Sequence, residues 1–316
     1  MTLQRLYRIL FVLPAFLCLL ASCKQKDKKN QPKKIAIIIS SLNNPWFVFL
    51  GETAAKKAAE YGYESKIFDS QNNTSTESEH FENAIVSGYD AILFNATDAD
   101  GSVASVNKAK EADIPVFCMD REINAVGVAT SQILSDSYSG CVNLGKYFVQ
   151  QLDKKGKYVE ILGIVGDNNT WSRSKGFHSV VDLYPGLKMV AQQSADFDRN
   201  KALEVMESIL SANPDIDAVF CGNDGMAMGA YQALLAAGKQ NKVKVFGFDG
   251  ADDVVSAIKD GKITATGMQY PALMANTAAQ FAHEYFGGRK NFPEKMPVSV
   301  EMVTRKNVDN YVAYGQ

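Results

Sequence analysis

The chain carries almost no excess charge: its formal net charge is −2 over 316 residues. That balance gives no basic surface for a polyanion, so no nucleic acid is expected as a partner. Histidine is scarce, and His80, His178 and His283 lie far apart on predicted helices. No metal site is expected from them. The first predicted strand is not followed by a G-x-G-x-x-G turn, and the sequence contains no Walker loop and no G-x-S-x-G elbow. The commonest dinucleotide, nucleotide and acyl-transfer chemistries therefore have no motif here, and no cofactor is expected. Beyond the first 22 residues no apolar run is long enough to read as a transmembrane helix. Cysteine is also sparse. Cys118, Cys141 and Cys221 have neither metal-ligand nor redox spacing. Cys118 and Cys221 fall inside apolar runs, where a thiol behaves as a small hydrophobe; a disulfide between two of the three stays open at this level.

What is present begins with an address label. Arg5 and Arg8 precede the apolar run Ile9–Leu20, which only Pro14 interrupts. The run is too short for an ordinary membrane span and reads as a signal peptide. It ends in Leu20-Ala21-Ser22-Cys23, which resembles a bacterial lipobox. The resemblance implies a lipoprotein signal over residues 1–22 and lipidation of Cys23, hence export to the cell envelope and anchoring in the lipid bilayer. Residues 24–34 hold six lysines and no large apolar side chain. Such a segment cannot form a core, so residues 23–34 read as a tether.

From Ile35 the pattern alternates between short apolar runs and amphipathic stretches. Ile35–Ile39, Ser65–Phe68, Ala91–Phe94 and Ile114–Phe117 read as strands, with helices from Trp46 to about Tyr61, from Ser75 to Val86, and through Lys110. The rhythm restarts after about Ser135, with strands at Tyr158–Ile164, Lys188–Ala191, Ala218–Cys221, Val243–Phe248 and Thr264–Gly267. Uninterrupted apolar strands separated by helices predict parallel sheets covered on both faces. A chain this long outgrows one core. The fold class is therefore α/β, with two doubly wound Rossmann-like lobes.

Ligands of open α/β sheets gather beyond the carboxyl ends of strands. Polar residues cluster at those positions here: Ser40 to Phe47, Asp69 to Asn73, Asn95-Ala96-Thr97-Asp98, Asp120-Arg121-Glu122, Asn223-Asp224, Phe248-Asp249-Gly250 and Met268-Gln269. Amides, carboxylates, guanidiniums and aromatics dominate them.

In that order, and together with Ala195-Asp196-Phe197-Asp198-Arg199, these segments resemble the ribose-type sugar-binding members of the two-lobed periplasmic binding proteins. The resemblance covers nearly all of residues 35–305. It implies a non-enzymatic, monomeric binding component of an ABC sugar importer, with a membrane permease as its partner. Its ligand would be a monosaccharide, ribose or a similar pentose first. The ligand would lie between an N-terminal lobe of residues 35–134 plus 270–297 and a C-terminal lobe of residues 135–269 plus 298–316, joined by a three-crossing hinge. The first lobe would supply Ser40, Asn44, Trp46, Phe47, Asn95, Asp120 and Arg121. The second lobe and hinge would supply Arg173, Phe197, Asn223, Phe248, Asp249 and Gln269.

Elementary chemistry makes this set sensible. Carboxylates accept from hydroxyls, guanidiniums donate in a fixed fork, and amides do both. Trp46, Phe47 and Phe197 would cover the apolar faces of a sugar ring. Each residue also has a plainer reading: Asn223 or Asp249 as a helix cap, Asp120-Arg121 as an ion pair, Trp46 and Phe47 as packing beneath their helix. Asp120 and Asp249 could also be imagined as a glycosidase pair, but the hydroxyl-matching groups around them suit binding better. Two departures bear on the ligand. Trp46 stands where ribose binders commonly carry Phe, and Asn168-Asn169 with Trp171 look more like polyol-binding relatives of the erythritol and xylitol types. A polyol receptor is therefore the alternative ligand reading. A sugar sensor docking on a membrane kinase or chemoreceptor is the alternative role.

Overall fold

The computed structural model describes residues 32–312 and Tyr314. The expected signal peptide, Cys23 and the tether through residue 31 lie outside the described residues.

The hydrophobic run at the start of the folded body forms β1 (Lys34–Ile39). Its side chains alternate between two cores. Ile35, Ile37 and Ile39 face one apolar cluster, Ala36 and Ile38 the other, and all five are fully buried. A strand buried on both faces has no polar positions, which is why the sequence shows an unbroken apolar run. Helix α1 (Pro45–Glu60) covers the first face, while α2 (Thr74–Val86) and α3 (Val103–Glu111) cover the second.

β1 lies between β2 (Glu64–Asp69) and β3 (Ala91–Phe94), followed outward by β4 (Val116–Met119), β5 (Ser131–Ser135) and β11 (Lys295–Val298). All pairings in this sheet are parallel. The second sheet repeats the plan: β7 (Leu187–Ser194), β6 (Gly156–Leu162), β8 (Ala218–Cys221), β9 (Lys244–Asp249), β10 (Ala265–Met268) and β12 (Glu301–Thr304). Its helices are α4 (Ser137–Gln151), α5 (Asn168–Val181), α6 (Arg199–Ala212), α7 (Asp224–Ala236) and α8 (Asp252–Lys259). In both sheets the second strand in sequence is the edge strand and the first lies inside it. This reversal creates a switch point, where open α/β sheets place ligands. The chain passes between the sheets three times, after β5, between β10 and α9 (Pro271–Phe286), and between β11 and β12. Helix α9 packs back on the first sheet through Met274, Ala275 and Ala278.

Three details differ from expectation. The strand expected at Ile114–Phe117 is displaced to Val116–Met119; Pro115 has no N–H for the ladder, and only its carbonyl serves, accepting from Ile92. β12 runs antiparallel to β10, so the second sheet is mixed. β5, β11 and β12 were not expected at all. Cys118, Cys141 and Cys221 are free thiols, fully buried, and burial pushes each well above its ordinary pKa. Among the described residues no helix is long and apolar enough to cross a membrane.

Candidate functional site

The carboxyl ends of the two sheets face each other across one cavity of about 260 Å³. Its lining comes from both: Asn44, Trp46, Phe47, Asp120 and Arg121 from the first sheet's loops and helix, and Asp167, Asn169, Arg173, Phe197, Asn223, Asp249 and Gln269 from the second and the connections between them.

Local structure fixes each group. Asn44 is the N-cap of α1; its Oδ1 accepts from Trp46 N–H at 3.0 Å, which sets the start of the helix and delivers Trp46 and Phe47 to the cavity. Arg121 is held by three contacts. Its Nη1 donates to the Ala96 carbonyl (3.3 Å), its plane lies 4.8 Å from the Phe47 ring centroid, and its Nε is 2.7 Å from Asp167 Oδ2. The last is an ion pair whose N–H is not aligned as a hydrogen bond. Arg173, on α5, sits over Phe248 at 4.1 Å and donates to the Gly222 carbonyl at 2.7 Å. Its Nη1 is 3.5 Å from Asp249 Oδ1. Gln269 Nε2 donates to that same oxygen at 2.7 Å. Phe197 lies within 6 Å of both guanidiniums.

Three of these residues, Asp120 (φ 66°), Phe197 (φ 60°) and Asp249 (φ 135°), have the positive φ that L-residues avoid. Such strain persists only where the surroundings over-determine it, and it gathers at functional sites. Gly163 admits one of them: a Cβ there would meet the Phe197 ring at 2.0 Å.

Burial pushes Asp120 up to about 7, with Arg173 pulling it down and Asp167 pushing it further up. Burial likewise raises Asp249 well above the carboxylate range, against the pull of Arg173. Its neighbour Asp224 is pushed up to about 6 by burial, partly offset by hydrogen bonds from Thr266, Ala251 and Gly250. The lining holds three carboxyl groups and two guanidiniums, a balance that gives an anionic ligand no net attraction.

The thirteen residues named from sequence fall into two groups. Ten of them line the cavity. Ser40, Asn95 and Phe248 stand behind it. Ser40 Oγ donates to Asn95 Oδ1 (2.6 Å), Asn95 Nδ2 reaches the Met119 carbonyl and Asp120 Oδ2 (3.0 and 3.4 Å), and Phe248 is the platform under Arg173. The thirteen do not include Asp167 and Asn169, although Asn169 stands in the stretch whose sequence looks polyol-like. The signal for them was the polar stretch after β6, a strand end like the others. Trp171, in contrast, is 39% exposed and donates its indole N–H to the Val165 carbonyl, away from the lining. Asn223 does cap α7, accepting from Met226 N–H at 2.9 Å, while its edge still lines the cavity. Asp249 does not cap α8; Asp224 takes the Gly250 and Ala251 N–H groups instead.

Besides Arg121 Nε and Asp167 Oδ2, which meet each other only as an ion pair, four buried polar atoms of the lining have no hydrogen-bond partner among the described residues: the donors Trp46 Nε1 and Arg173 Nε, and the acceptors Asp120 Oδ1 and Gln269 Oε1. Leaving such groups unpaired costs about 1–3 kcal/mol each. A neutral molecule bearing several hydroxyls can answer both kinds. No group of three or more metal-ligating side chains comes together among the described residues.

Comparison with known proteins accords with this geometry. The family described as "Periplasmic binding protein domain" matches residues 35–290. The D-apiose import binding protein of Paraburkholderia graminis is 42% identical over 274 residues, covering 86% of this chain and 88% of that protein. The ribose import binding protein of Salmonella typhimurium is 39% identical over 272 residues, covering 86% and 90%. Among solved structures, an ABC transporter solute binding protein from Bacillus halodurans with bound myo-inositol superposes with TM-score 0.85 at 29% identity, covering 90% of this chain and 98% of that one. One from Actinobacillus succinogenes with bound D-allose has TM-score 0.82 at 28% identity, covering 89% and 100%. The chain belongs to the periplasmic binding protein family, whose members bind rather than transform their ligands, and within it to the group of ribose and apiose import binding proteins.

Proposed function

We propose that this protein is the substrate-binding component of an ABC-type importer and takes one neutral monosaccharide, a pentose first, in the cavity between its sheets. The observation that carries this reading is the set of two unpaired donors and two unpaired acceptors, buried in a lining that also holds the rings of Trp46, Phe47 and Phe197. Sugar hydroxyls donate and accept at once, and the C–H faces of a ring suit aromatic neighbours. Hydrogen bonds to the charged members contribute roughly 1.5–3 kcal/mol each. The reading assigns hinge motion to lobes of residues 35–134 plus 270–297 and 135–269 plus 298–316. Sugar contacts both only when they are shut, so it draws the population toward closure. A permease would read the closed face, and acylated Cys23 would hold the protein at the membrane. Transport is favoured over sensing because the 39–42% identical relatives above are import binding proteins. The fructose-binding domain of a hybrid two-component system is 26% identical, over 88% of this chain.

D-Ribose and D-apiose are the leading ligands, since proteins importing them are the relatives named above. A polyol is the second reading, supported by the likeness to the myo-inositol-bound protein. Thermal melting against pentoses, hexoses and polyols separates them. A ligand at 100 times its dissociation constant adds about 2.7 kcal/mol, a shift of several degrees. A shift with pentoses supports the proposal; a shift with polyols alone moves the protein to that branch; no shift with any of them contradicts both.

A further inference from the structure

We infer that Trp46 acts as a hydrogen-bond donor that selects ligands carrying an oxygen opposite its indole, beyond serving as an apolar platform. The inference rests on the sugar-binding reading above and deepens it.

The backbone of Trp46 is fixed first. Pro45 opens α1, and the Asn44 cap holds the Trp46 N–H. The side chain is 2% exposed and meets the Phe47 ring edge-on, with centroids 5.4 Å apart at 88°. It joins the apolar cluster beneath α1 while also lining the cavity. Its Nε1 is buried and has no partner among the described residues. A buried indole N–H ordinarily finds an acceptor. The contrast with Trp171 is instructive: that more exposed indole is satisfied by the Val165 carbonyl at 2.9 Å. In the cavity the unpaired acceptors Asp120 Oδ1 and Gln269 Oε1 leave Trp46 unanswered. A phenylalanine at this position would supply a similar apolar face and no donor. The indole N–H is therefore the feature that distinguishes a ligand with oxygen at that point from one without it.

The test is a cycle between protein and ligand. Titration calorimetry compares the wild type with Trp46→Phe, using D-ribose, D-apiose, the 2-, 3- and 5-deoxy-D-riboses, and the carbocyclic analogue whose ring oxygen is CH₂. We expect Trp46→Phe to weaken the parent pentose about tenfold. We also expect one analogue, and one only, to bind both proteins equally. Equal weakening against every analogue, or none against any, overturns the donor role. If no parent sugar binds the wild type, the sugar-binding reading itself falls and this inference with it.

A folding defect in Trp46→Phe would also weaken binding, so a second readout uses the native indole. The chain has two tryptophans, so Trp171→Phe leaves one indole N–H signal in a nitrogen-15 NMR spectrum. Saturating D-ribose or D-apiose should move that signal downfield and slow its exchange with solvent. An unmoved, unprotected signal in the presence of bound sugar overturns the inference.

Discussion

Arg121 Nε and Asp167 Oδ2, which reach the cavity from opposite sheets, stand 2.7 Å apart with both side chains 3% exposed. This contact is one of several that join the two halves through protein groups alone. Ala99 N–H donates to the Gly166 carbonyl (3.0 Å), Asn169 Nδ2 to the Asp120 carbonyl (3.2 Å), and Asn168 Nδ2 to Glu122 Oε1 and Asn124 Oδ1 (2.8 and 2.6 Å). A buried ion pair is weak evidence for stability, because desolvation offsets its attraction. It is strong evidence for a fixed relative position. On the hinge reading proposed above, the segment 166–169 would act as a latch whose contacts favour closure independently of the sugar.

The latch is testable at Asn168, which does not line the cavity. Asn168→Ala should raise the dissociation constant for the pentose about ten- to thirtyfold, since each of its two lost hydrogen bonds removes about 1 kcal/mol from closure. Small-angle scattering should show a larger radius of gyration for the sugar-free variant than for the wild type. Unchanged affinity and radius would remove the latch from the account.

Phe197 depends on a residue that has no side chain. Gly163→Ala should force the Phe197 ring out of place, because the new Cβ would lie 2.0 Å from its Cζ. Overpacking of this kind costs about 1–3 kcal/mol. We expect pentose affinity to fall at least tenfold while the protein stays folded by circular dichroism. Wild-type affinity in Gly163→Ala would show that the ring contributes nothing to binding.

Away from the cavity, His178 Nε2 lies 3.0 Å from buried Glu160 and its Nδ1 2.8 Å from Asp182. The Glu160 hydrogen bond, opposed by burial, pushes the imidazole pKa up to about 9. A raised histidine pKa stabilises the fold fully below the unfolded value near 6.5, and that contribution is lost as pH rises through about 9. The contribution is at most about 3 kcal/mol. The melting temperature of the wild type should fall more steeply between pH 6.5 and 9.5 than that of His178→Gln. Parallel profiles would contradict the assignment.

Much of this was legible in the sequence, for physical reasons that also explain the gaps. β1 and β8 are apolar on both faces and announce themselves. β5 reads Ser-Gln-Ile-Leu-Ser, yet Ser131 and Gln132 are buried. Their polarity is absorbed by the Pro293 carbonyl and the Ile123 N–H, partners distant enough in sequence to leave no local pattern. β11 carries Pro297 and pairs with β5 across more than 150 residues. The cavity was legible because each lining segment follows a strand. The sequence does not reveal which side chains stand behind others: Ser40 and Asn95 bond one another, while Asp167 enters because it meets Arg121.

The most direct test is calorimetric titration of D-ribose and D-apiose into the wild type and into Asp249→Asn. Asp249 Oδ1 receives Gln269 and faces Arg173, so an amide there disturbs the network at its centre. The account predicts one-site binding of at least one pentose to the wild type. It predicts at least a thirtyfold loss in Asp249→Asn, the low end of the about 2–5 kcal/mol lost when one partner of a buried hydrogen-bonded pair is changed, and a melting temperature showing that the variant is folded. Equal affinity in both proteins, or no binding of either pentose to the wild type, would contradict it.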